Sequence, residues 1–279
     1  PHGTGPRLPS ARILRVVSGI SAWFALAALV VFTAAGLRFY LPLAWRVFAG
    51  GHGAVGTGWV GKIDAAVGIV LLVWFAALGR DALASEGDRS IEFRHIVGGA
   101  TTYASVVIFI LGVLVYRGQS LIRAAGLDAL SFASALGRAL LCLGAAYPLL
   151  MLVQAMVFGV SGGNVAPQDV VEFLQNAPSP RDRIAVLVMA VAVAPLAEET
   201  IFRGYLYPVG KKYFGAFLSA VITAALFAAL HGHLASVPAL FTLALCLTLA
   251  YEKTGSLIVP MIMHAVFNAI SIVGILYLM

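Results

Sequence analysis

The stretch APLAEETIFRGYLY, residues 194–207, sets Glu198, Glu199 and Arg203 among neighbours that are otherwise lipid-soluble. A charged side chain at the centre of a bilayer costs roughly 2.5 to 3.5 kcal/mol on insertion scales, so such groups face a bundle interior or a water-filled cavity. On a helix Glu199 and Arg203 are four residues apart and share a face, whereas Glu198 is turned about 100° away. Arg203 can therefore neutralise Glu199 and leave Glu198 available. Two further apolar stretches carry polar groups at the same spacing. FAALH puts Phe227 and His231 on one helix face, and HAVFN puts His264 and Asn268 on another.

A carboxylate shielded from bulk water can act as general base toward a water molecule, and an imidazole can share or orient that water. An amide and a second imidazole could donate hydrogen bonds to the oxyanion formed when water attacks a peptide carbonyl. The set suits peptide hydrolysis without a covalent intermediate. Glu198, His231 and His264 could instead hold Zn2+ with an open water position, but the ligands would come from three helices and no H-E-x-x-H pair is present. A non-catalytic alternative employs the same residues as an ion or proton relay, or as an ion-paired clamp in a membrane scaffold or immunity protein.

The elements that place these residues must be membrane helices. Of 279 residues 61% are hydrophobic and 11% charged, against roughly 25% charged in soluble domains, and the mean hydropathy is +0.97. Apolar runs of spanning length predict an all-α, polytopic transmembrane helical bundle of about eight spans, at residues 16–37, 57–79, 96–116, 139–160, 183–207, 215–231, 235–251 and 256–277. The second run is glycine-rich and holds Lys62 and Asp64, so it could be partly a loop or re-entrant segment, which would leave seven. Residues 1–180 are expected to supply N-terminal helices of unassigned role, and residues 181–279 the catalytic core. That boundary is one of function, not of folding. The opening PHGTGPRLPS, beginning on Pro1, reads as a trimmed or added leader and is set aside.

The net charge of +6 arises from Lys and Arg residues lying between apolar runs, as in membrane loops, so lipid and not nucleic acid is the expected partner. In an eight-span arrangement ten cations fall on the face holding Lys211 and eight on the N-terminal face, which favours the former as cytoplasmic. Cys142 and Cys246 sit inside apolar runs without C-x-x-C pairing and are expected to be packing thiols. Residues 117–138 fit an interfacial amphipathic helix or a simple loop, and residues 161–183 carry start and stop signals of a short helix outside the membrane. His233, on a different helix face from His231, is expected at a helix end without a role in the site.

If the fifth span reaches the Lys211 face near Tyr207, Glu198 and Glu199 lie about 12 to 14 Å below it, and His231 about 24 Å below. On the same basis His264 and Asn268 lie about 12 and 18 Å deep. Three helices thus bring complementary polar groups to overlapping depth.

EETIFR, FAALH and HAVFN, in that order, are similar to the E-E-x-x-x-R, F-x-x-x-H and H-x-x-x-N motifs of the CAAX protease and bacteriocin-processing (CPBP, or Abi) family. Its members are intramembrane endopeptidases related to the type II CAAX prenyl endopeptidase. The resemblance covers about residues 183–279. It implies that Glu198 with His231 activates the attacking water, that His264 and Asn268 form the oxyanion hole, and that Glu199, Arg203 and Phe227 support them. It further implies a glutamate-type hydrolase that needs no cofactor, with zinc as the alternative, in a site recessed in the membrane and open to the cytosol. The implied substrate is a membrane-associated peptide or C-terminal tail. The alanine-rich composition suggests a bacterial inner membrane.

Overall fold

The structure is a computed structural model and describes residues 11–85, 93–163, 173–174 and 179–278. Helix α1 (Ala11–Ala44) runs into a π-helical turn (Trp45–Ala49); α2 is Lys62–Ala84, α3 Phe93–Tyr116, α4 the short Leu121–Ala125 and α5 Phe132–Val160. The C-terminal part opens with α6 (Pro180–Val188), a π turn (Met189–Val193), α7 (Ala194–Ile201), another π turn (Phe202–Leu206) and α8 (Tyr207–Ala229). A 3-10 turn (Leu234–Ser236) then leads to α9 (Val237–Thr254) and α10 (Ile258–Leu278). No strand occurs among the described residues, and the chain is an all-α bundle.

Among the described residues six helical stretches are long and apolar enough to cross a membrane, with a shorter apolar helix at Ile258–Gly274. One of the six, Pro180–Ala229, is 50 residues long and contains two of the expected spans. Gly215 divides it: its φ of 81° and ψ of 165° lie outside the helical region, a conformation that a residue with a Cβ rarely adopts. Each of the eight expected spans coincides with a helical segment, with ends displaced. The second span begins at Lys62 and not at residue 57, because residues 51–61 form an irregular loop.

The turn at Gly215 corrects the depth estimate. The helix carrying the glutamates does not end near Tyr207 but continues to Gly215, where the chain reverses. Ser219 Oγ donates to the Tyr207 carbonyl at 2.8 Å, which closes the hairpin. Arg203 and Phe227, each twelve residues from Gly215, meet with the guanidinium carbon 4.7 Å from the ring centroid. Glu199 and His231, each sixteen residues from Gly215, therefore lie at about the same level, about 24 Å from the turn.

Helix α9 is the axis of the bundle, with 56% of its apolar window buried against 17 to 28% in the other five spans. One apolar cluster joins it to α2, α3 and α8 through Leu71, Ile110, Phe227 and Ala244; another joins it to α1, α5 and α10 through Tyr40, Ala139, Leu243 and Met263. Helices from both parts of the chain thus share each core. Outward residues such as Val70, Ile108 and Met156 are 62 to 68% exposed, as lipid-facing side chains would be.

At the Lys211 end, the irregular loop is tied down by buried acids. Glu252 accepts from Tyr207 Oη at 2.6 Å, Lys211 Nζ at 2.5 Å and the Val55 amide at 3.2 Å. Asp64, wholly buried, accepts from the Gly61 amide at 2.6 Å, from Tyr205 Oη at 3.3 Å and from Arg117. Residues 117–138 are neither a long amphipathic helix nor a plain loop. Helix α4 ends at Gly126, whose Cβ, were there one, would fall 1.8 Å from the Gly255 carbonyl oxygen, and Ala125 accepts from the Leu257 amide. The expected short helix within 161–183 lies largely outside the described residues. Ser179 caps α6 by accepting from the Asp182 amide at 3.2 Å, with Pro180 at the first helical position. Cys142 and Cys246 are buried free thiols, as expected.

Candidate active site

The eight-residue α7 carries Glu198 and Glu199 and is bracketed by π turns. Each π turn is followed by an X-Pro pair, Ala194–Pro195 and Tyr207–Pro208. A proline ring inside a helix clashes with the carbonyl four residues back and supplies no N–H. Widening the preceding turn to π geometry moves that carbonyl aside, so the two prolines account for the two bulges.

Within this segment Glu198 is 5% exposed, Glu199 0%, Arg203 1% and, facing them from α10, His264 2%. Glu199 Oε1 accepts from Arg203 Nη1 at 2.8 Å and from His264 Nδ1 at 2.9 Å. Arg203 also donates from Nη2 to the Ala244 carbonyl at 3.2 Å, which ties the cluster to α9. Among the described residues Glu199 Oε2 and Arg203 Nε have no hydrogen-bond partner. The expected i, i+4 pair is therefore present, and His264 completes it as a third member.

Glu198 stands outside that pair. Its Oε2 lies 3.8 Å from His264 Nε2, beyond a direct hydrogen bond. With Nδ1–H given to Glu199, Nε2 of a neutral His264 ring holds a lone pair, and it becomes a donor only in the doubly protonated ring. Tyr103 on α3 brings its phenol close to Glu198. Sequence reasoning missed this residue; the signal was the run of Thr101, Thr102, Tyr103 and Ser105 within an otherwise apolar span.

His231 is exposed and forms no ion pair with either glutamate among the described residues. Its Nδ1 lies 2.8 Å from the Phe227 carbonyl, so Nδ1 is the donor and Nε2 of the neutral ring keeps a lone pair. Phe227 is the surface on which the site is assembled. Its ring centroid is 4.9 Å from that of His231, 5.5 Å from that of His264 and 5.6 Å from that of Phe202, with Arg203 over its face. Asn268 donates from Nδ2 to the Ala190 carbonyl at 2.8 Å. His233 is buried and pairs through Nδ1 with Ser236 Oγ at 2.7 Å, in the connection after α8 where it precedes the 3-10 turn Leu234–Ser236.

A zinc site would need Glu198, His231 and His264 to converge. Among the described residues no three His, Cys, Asp or Glu side chains form such a group. The Nδ1 bonds of His231 to the Phe227 carbonyl and of His264 to Glu199 leave both Nε2 atoms free. As arranged among the described residues, the site does not gather the three ligands that zinc needs. It offers instead a carboxylate outside an ion pair, two imidazoles with Nε2 uncommitted, and an amide with one hydrogen to spare.

Residues 180–270 match the protein family described as type II CAAX prenyl endopeptidase Rce1-like. The matched segment contains Glu198, Glu199, Arg203, Phe227, His231, His264 and Asn268 and leaves out Tyr103. An uncharacterized 24.3 kDa protein of Escherichia coli is 34% identical over 88 residues, 30% of this chain and 41% of that protein. The chain thus spans about two fifths of the length of the curated relative it matches. No solved structure matches it.

Proposed function

We propose that this chain, whose residues 180–270 match the type II CAAX prenyl endopeptidase Rce1-like family, is an intramembrane endopeptidase acting through Glu198. The family match supports a CAAX-type protease within an integral membrane bundle. In the proposed reaction, Glu198 takes a proton from water as the water oxygen attacks the peptide carbonyl, with the Nε2 lone pair of His231 orienting that water. The tetrahedral oxyanion accepts from the spare Asn268 N–H and from Nε2–H of a protonated His264. As the C–N bond breaks, the proton held by Glu198 passes to the leaving amine. Glu199 and Arg203 hold His264 in place. No metal takes part.

The observation that carries the proposal is the division of labour between adjacent carboxylates: Glu199 is bonded to both Arg203 and His264, and Glu198 remains outside, 3.8 Å from His264 Nε2. The substrate would be a membrane-associated peptide or C-terminal tail, met in a bacterial inner membrane from the cytoplasmic side. The test is cleavage of quenched fluorescent peptides with hydrophobic or farnesylated C-terminal tails by the full chain in detergent. Wild type should cleave at least one, and Glu198→Gln, still folded, should lose that cleavage by at least a hundredfold, of the order expected for a general base. Undiminished cleavage by Glu198→Gln would overturn the role of Glu198.

A further inference from the structure

The contact between Asn268 and Ala190 has a backbone explanation. In the π turn Met189–Val193 the Ala194 amide donates to the Met189 carbonyl, five residues back. The next rung would run from residue 195 to the Ala190 carbonyl, and residue 195 is a proline without an N–H. Asn268 Nδ2 occupies that place at 2.8 Å. A side chain from α10 thus donates where the helix of the glutamates cannot.

The second π turn shows that such a substitute is not required for folding. There the Tyr207 amide donates to Phe202, and Pro208 leaves the Arg203 carbonyl without its rung. Among the described hydrogen bonds no side chain reaches that oxygen. An asparagine is supplied only at the proline three residues before Glu198. A side-chain amide has two hydrogens. Fixing one on a backbone carbonyl restricts the rotation of the amide plane and so aims the other.

We infer that Pro195 is a positioning residue: by withholding its backbone donor it leaves the Ala190 carbonyl to anchor one Asn268 hydrogen, which holds the other for the reacting carbonyl. The inference rests on the proposed oxyanion role of Asn268. Restoring a backbone N–H at residue 195 would complete the rung and release Asn268, improving the helix while loosening the site.

The experiment compares wild type, Pro195→Ala and Asn268→Ala as full-length protein in detergent, with the tail peptide that wild type cleaves. Pro195→Ala should lower kcat roughly tenfold, part of the hundredfold or more that a complete oxyanion donor provides, with KM unchanged and thermal stability equal or higher. A merely structural proline would not produce lower kcat with a firmer fold. An independent readout needs no substrate. The chain has three asparagines, Asn164, Asn176 and Asn268, so 15N-asparagine labelling gives few side-chain amide signals. The one lost in Asn268→Ala should shift in Pro195→Ala. Pro195→Gly restores the same N–H and is read identically if alanine disturbs packing. An unmoved amide signal, or wild-type kcat in the proline variants beside a collapse in Asn268→Ala, overturns the inference. Undiminished kcat in Asn268→Ala overturns the oxyanion reading instead.

Discussion

His264 Nδ1 lies 2.9 Å from Oε1 of Glu199, the same oxygen that Arg203 holds at 2.8 Å. One buried carboxylate oxygen therefore fixes both the guanidinium and the imidazole ring. The ring's second nitrogen is directed by this bond to within 3.8 Å of Glu198. An ion pair local to one helix becomes the device that orients a residue of another.

Removing one member of this cluster leaves an uncompensated buried charge. Arg203→Met or Glu199→Gln alone should destabilise the protein by about 3 to 5 kcal/mol, whereas the double variant should recover part of that loss. Thermal unfolding in detergent measures the three. Peptide cleavage should fall in all of them, because His264 loses its anchor in each. Additive destabilisation in the double variant would argue against the coupling.

Tyr103 reaches Glu198 from outside the family-matched segment. Phenylalanine keeps the ring, which packs against the cluster holding Ile201, Phe202 and Tyr205, and removes only the hydroxyl. Tyr103→Phe should lower kcat roughly tenfold, as expected if the hydroxyl contributes about 1.5 kcal/mol through its polar approach to Glu198. Because the effect passes through Glu198, Tyr103→Phe should cost nothing further in a Glu198→Gln background. A second loss there would assign Tyr103 a separate role.

Glu252 joins the glycine-rich loop to α8 and α9 through Tyr207, Lys211 and Val55. Glu252→Ala should strand Lys211, which also donates to the Val55 carbonyl at 2.9 Å, and lower stability by about 3 kcal/mol. The expected signature is faster proteolytic nicking within residues 50–61, read by limited proteolysis and mass spectrometry. Unchanged cleavage at those residues would show that the loop is held by its other ties to Lys212 and Arg117.

Chelation separates the water-activation schemes. Since Glu198, His231 and His264 do not converge, cleavage should survive exhaustive dialysis against a zinc chelator, with substoichiometric zinc by elemental analysis. Loss of activity on chelation, restored by Zn2+, would return these residues to the role of ligands.

What the sequence by itself determined is what helical periodicity and solvent preference control. The apolar runs located the helices, and the i, i+4 spacing paired Glu199 with Arg203 and set Glu198 apart, because neighbours on one helix face follow from 3.6 residues per turn alone. The same spacing stacked Phe227 against His231. Contacts between helices were decided only by tertiary structure. The position of the reversal was one such feature: Gly215 rather than Tyr207 set the register that brings Arg203 to Phe227. The choice of His264 as the partner of Glu199 was another, as were the approach of Tyr103 to Glu198 and the burial of Asp64 and Glu252, acids that in sequence stand at the ends of apolar runs. A residue's neighbours across a helix interface depend on crossing angle and register, to which a linear pattern of apolar residues is nearly indifferent. Pro195 belongs to both: its missing N–H is written in the sequence, but only the packing of α10 against α7 and its preceding π turn shows which side chain takes its place.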